Sequence, residues 1–288
     1  MKYAIIQAYE GTHSISMMCR VMGVNRGGYY SWRDRAPSPR SERRKQMEAQ
    51  IKETYEAFEA RYGARRIARE LNELGFNCST NYVAGIMKEE SLKALNGKGF
   101  NYRHQSLSMV NVSDNLLWRN FKANAPNQKW TSDITYIWVE DQWLYLATVM
   151  DLYSRRIVGW SLDRTMTEEL TKRALDDALN RRNVEPGLIL HSDRGVQYRA
   201  QKYIDFATSN GLQLSMSRKG NCWDNAPMES FFSRLKVELI YAKNYRSVQE
   251  AKTGIFEYIE IFYNRKRRHS ANDNLSPVVF EERAALAA

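Results

Sequence analysis

The sequence predicts an α/β domain built on a mixed sheet, set behind an all-helical and basic front region. Three observations carry this reading. Short helical periods broken by single glycines fill the front third, and β-branched and aromatic runs begin at Trp130. From there the elements follow the order βββαβα and then further helices, as expected for three antiparallel strands with parallel additions. At 288 residues the chain favours two domains. With 43% hydrophobic and 12% aromatic residues it can bury a sizeable core, which excludes a wholly disordered chain.

Residues 1–38 read as small helices. Ser14 is placed to cap a helix over Ile15–Met22 with Gly23 as its stop, and Asn25 to cap a second through Trp32. Two short helices around a glycine describe either a helix-turn-helix or an ordinary helical hairpin. The run Ala36–Gln46 (APSPRSERRKQ) reads as a polar, proline-broken linker. Beyond it, Ile51–Phe58 has helical period, and a helix over Ala64–Leu74 places Ile67, Ala68, Leu71 and Leu74 on one face. Gly75 stops that helix, and Ser79 caps another carrying Val83, Ile86 and Met87. Residues 47–96 thus form a second helix-turn-helix-like region, and residues 97–125, lacking any period, a connector.

In the back half, WTSDITYIWV and WLYLATVMD flank the acidic turn Glu140–Gln142 and suggest a hairpin. Ile157–Leu162 is a third strand, Thr167–Arg182 a helix, Leu188–Asp193 a short buried strand and Gln201–Asn210 a helix.

Charge and cysteine content narrow the function classes. Of the net +10, residues 1–125 carry 20 Lys+Arg against 12 Asp+Glu, and the remaining 163 residues 23 against 21. A basic front half suits a polyanion. Three scattered cysteines without a CxxC pair argue against a disulfide framework or a cysteine zinc site, and fit a reducing cytosol. No apolar run reaches the roughly 20 residues of a membrane span, and the N-terminus does not resemble a secretory signal. The expected location is cytoplasmic.

Three carboxylates in the back half stand where chemistry is done. Asp133 interrupts an apolar strand, where charge is depleted. Asp193 ends the strand LILHSD, and carboxyl ends of strands are where reacting groups collect. Glu229 opens a helix with Pro227 in its first turn. There Met228, Phe232, Leu235 and Leu239 form the apolar stripe, and Glu229, Ser233 and Lys236 its neighbour. Convergent carboxylates need a cation, and an all-oxygen donor set suits Mg²⁺, or Mn²⁺ in its place. Two ions about 4 Å apart would activate a water or 3′-hydroxyl for attack on a phosphodiester. For Asp133 and Asp193 the ordinary alternative is a structural buried pair. Asp151, Asp163, Asp176, Asp177 and Asp224 read as surface groups or caps.

The segments PNQKWTSDITYI, DLYSRRIVGW, HSDRGVQY, DNAPMESFFSRLKVE and YIEIFYNRKRRHS…LSP closely resemble the catalytic domain of bacterial insertion-sequence transposases, of the retroviral-integrase-like Asp-Asp-Glu superfamily. The match spans about residues 115–283, with 35 residues between Asp193 and Glu229 and a lysine, Lys236, seven positions beyond the glutamate. CRVMGVNRGGYYSW and YGARRIARELNELG look like the family's helix-turn-helix regions. The resemblance implies an RNase H-like catalytic core over residues 126–288, with a mixed five-stranded sheet and flanking helices. It also implies Asp133, Asp193 and Glu229 as catalytic metal ligands. It implies cleavage at element ends and transfer of the 3′-hydroxyls into DNA, on a homo-oligomer, with an upstream helix-turn-helix frame as fusion partner or subunit. An RNase H-like nuclease or resolvase, or a non-catalytic DNA-binding regulator, are the other readings. Only His13 and Cys19 lie near the start, so the zinc domain of retroviral integrases has no counterpart. Expected DNA contacts are Lys236, Arg26, Arg65, Arg66, Arg265 and Arg268, the last two in the basic run 265–269. His191 is expected to touch either substrate or sheet, and Asn225 either DNA or its own loop.

Overall fold

In the computed structural model, which describes residues 1–36, 38–95, 112–218 and 222–287, contacts divide the chain into two units, Met1–Ala94 and Leu95–Ala288. Most of the expected connector, residues 97–111, lies outside the described residues.

The first unit is helical: α1 (Lys2–Ala8), α2 (Ile15–Met22), α3 (Arg26–Arg33), α4 (Pro39–Ala57), α5 (Ala64–Glu73) and α6 (Thr80–Glu89). Its caps are those the sequence predicts. Ser14 accepts from Met17 N, Asn25 from Gly27 N and Gly28 N, and Ser79 from Tyr82 N, each stabilising its helix by about 1 kcal/mol. Gly23 and Gly75 take positive φ at the helix ends. Ile6, Cys19 and Tyr29 form the core of α1–α3, while Ile67, Ala68 and Leu71 bury one face of α5.

Two expectations are corrected here. The linker Ala36–Gln46 is mostly helix, because Ser38 caps at Ser41 N and Pro39 occupies the first turn of α4. Burial along α4 begins only at Met47, so its first turns show no apolar period. Leu74 is exposed rather than on the buried face, because α5 ends at Glu73.

The second unit carries β1 (Lys129–Val139), β2 (Gln142–Asp151), β3 (Ile157–Asp163), α7 (Glu168–Arg181), β4 (Ile189–Ser192), α8 (Gln201–Ser209) and β5 (Gln213–Met216). The sheet order is β3-β2-β1-β4-β5. The first three strands are antiparallel, and β4 and β5 add in parallel beside β1. This is the RNase H-like arrangement. The four-residue β5 has no separate sequence signal, since the alternation of QLSM spans only two apolar residues. Trp130, Val149, Val158, Leu170, Ala174 and Leu190 belong to the core beneath α7 and α8.

The chain then turns through a 3₁₀ segment (Cys222–Asn225) into α9 (Ala226–Leu235), a π-helical stretch (Lys236–Ile240), α10 (Val248–Phe256), a second π stretch (Glu257–Tyr263) and α11 (Pro277–Ala287). A buried ion pair and a hydrogen bond from Tyr258 tie the first π stretch to the second and to the segment just beyond it. Glu238 accepts from Arg267 Nε and Nη2 at 2.8 and 2.7 Å and from Tyr258 Oη at 2.9 Å. Asn264 pairs with both backbone groups of Ile157 at 2.9 Å, satisfying part of the edge strand β3. Glu281 on α11 accepts from Ser154, Arg156 and Arg182. Among the described residues no helix is long and apolar enough to cross a membrane.

Two stability outcomes follow. A Cβ on Gly159 would lie 2.3 Å from Ala174 O and 2.5 Å from Ala178 N, both backbone atoms of α7. Gly159→Ala is therefore expected to push α7 off the sheet and cost about 1–3 kcal/mol or more, read as a lowered urea midpoint. Glu238→Gln strands the buried Arg267 charge and should cost about 3–5 kcal/mol. A Glu238→Met, Arg267→Met double variant should lose much less; an equal loss would show that charge pairing is not what the site supplies.

Candidate active site

Alternation along β1 puts Thr131, Asp133 and Thr135 on one face and Trp130, Ser132 and Ile134 on the other. Asp133 sits mid-strand opposite Thr148 of β2, and β1 is the central strand of the sheet. Its Oδ1 accepts from Ile134 N at 2.8 Å. Asp193 follows the last residue of β4, the strand parallel to β1, and its Oδ1 accepts from Gly195 N at 2.8 Å. A side chain at Gly195 would meet that oxygen at 2.9 Å, so the carboxylate's seat needs glycine.

Glu229 is exposed in the first turn of α9. The residues before it fix where that helix starts. Asn225 is buried, with Oδ1 accepting from Thr131 Oγ1 and Nδ2 donating to Ser132 O at 3.5 Å. The entry to α9 is thereby tied to the two residues that precede Asp133. Asp224, also buried, accepts from Asn115 Nδ2, Arg119 Nε and the backbone and guanidinium of Arg218, at 2.9 to 3.0 Å. These donors, Arg218 foremost, hold its carboxyl well below the usual range.

The electrostatics bring the predicted carboxylates together. Burial pushes the Asp133 carboxyl well up, and the charges of Asp193 and then Glu229 push the same way, against Ile134 N–H and Lys236. Burial draws the Lys236 ammonium down, while Asp133 holds it up. The Lys236 Nζ lies 4.6 Å from the centre of the Tyr136 ring. Beneath the pair, the buried Tyr198 Oη shares a 3.0 Å hydrogen bond with Ser132 Oγ and feels both Asp133 and Asp193. Among the described residues, no three acidic, histidine or cysteine side chains converge tightly enough to hold an ion as they stand. The donors available are nonetheless all oxygen, and their repulsion is what a divalent cation would relieve.

Several expected DNA contacts are placed elsewhere. His191 is fully buried between β4 and β5, its nitrogens 2.8 Å from Ser215 Oγ and 3.1 Å from Ser217 Oγ, and burial draws its imidazole down to about 4. Of its two readings, the sheet contact holds and the substrate contact has no surface to act through. Asn225 is likewise buried, bonded to β1 rather than to DNA or its own loop. Arg268 is buried and donates to Asn274 O at 3.0 Å, and Arg267 serves Glu238. The run 265–269 therefore presents only Arg265 and Lys266 fully to water. Arg26 and Arg65 are exposed on α3 and α5, and Arg66 stacks 5.3 Å from the Tyr62 ring. Asp151, read as a surface group, is buried and accepts from Asn127 N and Tyr153 N. Asp224 was read the same way. Arg218, six residues ahead, was its one local signal, because nothing in the spacing brings Arg119 to it.

Known families match along the same lines. Two profiles, each described as Integrase core domain, match residues 123–222 and 229–284, and an HTH-like domain profile matches residues 41–98. A 31 kDa protein of insertion element IS600 from Shigella sonnei is 43% identical, over 92% of this chain and 98% of its own length. The transposase InsF of insertion sequence IS3A from Escherichia coli (strain K12) is 41% identical, over 98% of this chain and 99% of its own. Among solved structures, a chain of the simian T-cell lymphotropic virus intasome in complex with PP2A regulatory subunit B56 gamma is 14% identical. It covers 80% of this chain and 74% of its own, with a TM-score of 0.48. With full-length identity at this level, an integrase core behind an HTH-like domain and an RNase H-like sheet, the chain belongs to the insertion-sequence transposase family that includes InsF.

Proposed function

We propose that the chain cleaves DNA at insertion-element ends and joins the freed 3′-hydroxyls to target DNA, with Asp133, Asp193 and Glu229 as its catalytic carboxylates. The carrying observation is that the charges of Asp193 and Glu229 both act on the buried Asp133 carboxyl, beside a half-buried lysine. Membership in a transposase family supports the reaction class. A pair of Mg²⁺ or Mn²⁺ ions held by the three carboxylates would polarise the phosphate and make the attacking oxygen nucleophilic near neutral pH.

The chain's own residues do the positioning. Asp133 and Asp193 each have one oxygen tethered by a backbone amide, so they form the rigid side of the site. Glu229, exposed on its helix, is the member with room to close on the others. Lys236 is placed to meet a phosphate oxygen from the same side. In the first step a water oxygen bonds to phosphorus and the bond to the 3′-oxygen breaks, that oxygen taking a proton. In the second the 3′-hydroxyl oxygen bonds to a target phosphorus, its proton leaves, and the target's own 3′-oxygen departs. Two ends must be cut and joined, so at least two copies act together on DNA. Arg26, Arg65, Arg66 and Arg265 supply phosphate contacts. The family resemblance also supports fusion to, or partnership with, an upstream helix-turn-helix frame, in the bacterial cytosol where the DNA lies.

Asp133→Asn and Glu229→Gln are each expected to lower cleavage and joining at least about a thousandfold, on the order of 4 kcal/mol of barrier, while gel-shift binding of element ends persists. Chelation should abolish both reactions and Mn²⁺ restore them. Metal-dependent activity surviving both substitutions would sink the assignment. Cleavage without a joined product would favour a nuclease, and binding without either reaction a regulator.

A further inference from the structure

The β1–β2 hairpin leaves a group of large aromatic rings in water beside the carboxylates. Trp138 and Trp143 face each other across the ladder, ring centres 4.7 Å apart, and Tyr136 packs edge-on to Trp143 at 5.2 Å. These three and Tyr241 are between 39% and 59% exposed. Tyr241 is near enough that the Tyr136 phenol raises its hydroxyl further, after burial. Cross-strand aromatic packing steadies a hairpin, but it does so best when the rings are covered. A contiguous apolar patch left open marks a surface that meets something.

Three features say what it meets. Lys236 lies over the Tyr136 ring and acts on Asp133, so the patch and the carboxylates share one cation. Along β1, Tyr136 and Trp138 stand three and five residues beyond Asp133, about 10 and 17 Å at strand rise and on the other face of the strand. Because β1 pairs with β4 only over Lys129–Thr131, Asp133 and the rings flank one strand edge that β4 leaves open. A DNA strand advances about 3.4 Å per nucleotide, so those distances correspond to roughly three to five base steps. The hairpin turn carries Glu140 and Asp141, which repel a phosphate backbone. Uncharged ring faces bounded by acidic residues suit bases rather than phosphates, hence a strand whose bases are unpaired.

We propose that Tyr136, Trp138 and Trp143 form a stacking platform for unpaired bases of the DNA end held at the Asp133–Asp193–Glu229 site. This rests on the reading of that site given above. Stacking on aromatic faces tolerates any base sequence, so the platform selects for melted ends and leaves sequence choice to other contacts.

The test uses the full chain without divalent metal and two probes. One is a blunt duplex and the other the same duplex with an unpaired 3′ tail carrying 2-aminopurine three to five nucleotides from its end. The tailed probe should bind more tightly and its fluorescence should be quenched. Trp138→Ala and Trp143→Ala should each weaken the tailed probe about tenfold, the loss of roughly one stacked base, and leave the blunt probe unchanged. Trp138→Phe, which keeps a ring face, should restore most of the preference. Unquenched 2-aminopurine with the wild-type chain, or equal losses on both probes, would overturn the platform. So would variants that dissociate an oligomer while keeping tail preference, since the patch would then be covered by a second copy. If Asp133→Asn and Glu229→Gln abolish chemistry while the tryptophan variants bind normally, the platform alone fails. Chemistry surviving those two substitutions fails the site instead.

Discussion

Asn225 hydrogen-bonds to Thr131 and Ser132, and the geometry of the whole site hangs on that contact. Asp133 and Glu229 lie far apart in sequence, on a central strand and on a helix that follows the sheet. A strand and a helix packed only through apolar side chains can slide by a residue at modest cost. A buried amide bonded to strand atoms cannot, because a slip leaves polar groups unsatisfied in a dry environment. The neighbouring Asp224 adds the same constraint from outside, gathering Asn115, Arg119 and Arg218 onto one buried carboxylate.

That anchoring works against a repulsion. Asp193 and Glu229 raise the tendency of the buried Asp133 to hold a proton, so the bare arrangement carries electrostatic strain that tertiary structure must hold. The same carboxylates would give a divalent cation its affinity. The seats are built for it: backbone amides fix one oxygen of each aspartate, and glycine at 195 leaves the Asp193 oxygen uncrowded. Tyr198 and Ser132 form a hydrogen-bonded floor below.

The C-terminal segment plays a mechanical part. Asn264 completes hydrogen bonding along the edge strand, Arg267 neutralises Glu238, and Glu281 gathers two arginines and a serine. These bonds tie the helices after Glu229 back onto β3 and α7. The motif YIEIFYNRKRRHS therefore works largely as a lock, and only part of its charge faces water.

Much of this was legible in the residues. Caps at Ser14, Asn25 and Ser79, the stops at Gly23 and Gly75, the hairpin around Glu140 and the apolar stripe of α9 are local features, set by backbone geometry and side-chain period, and they hold in any context. The placement of Asp133 within a strand and of Asp193 at a strand's end was equally local, and the 35-residue interval with the flanking motifs tied Glu229 to them through family resemblance. What the sequence by itself could not determine is which polar side chains turn inward. His191, Arg267, Asp151 and Asp224 have the composition of a surface, yet each is buried with a partner tens of residues away. Burial of a polar group is decided by whether a distant partner arrives to satisfy it. That partner is known only once the sheet order has brought β4 beside β1 and the last helices back to β3.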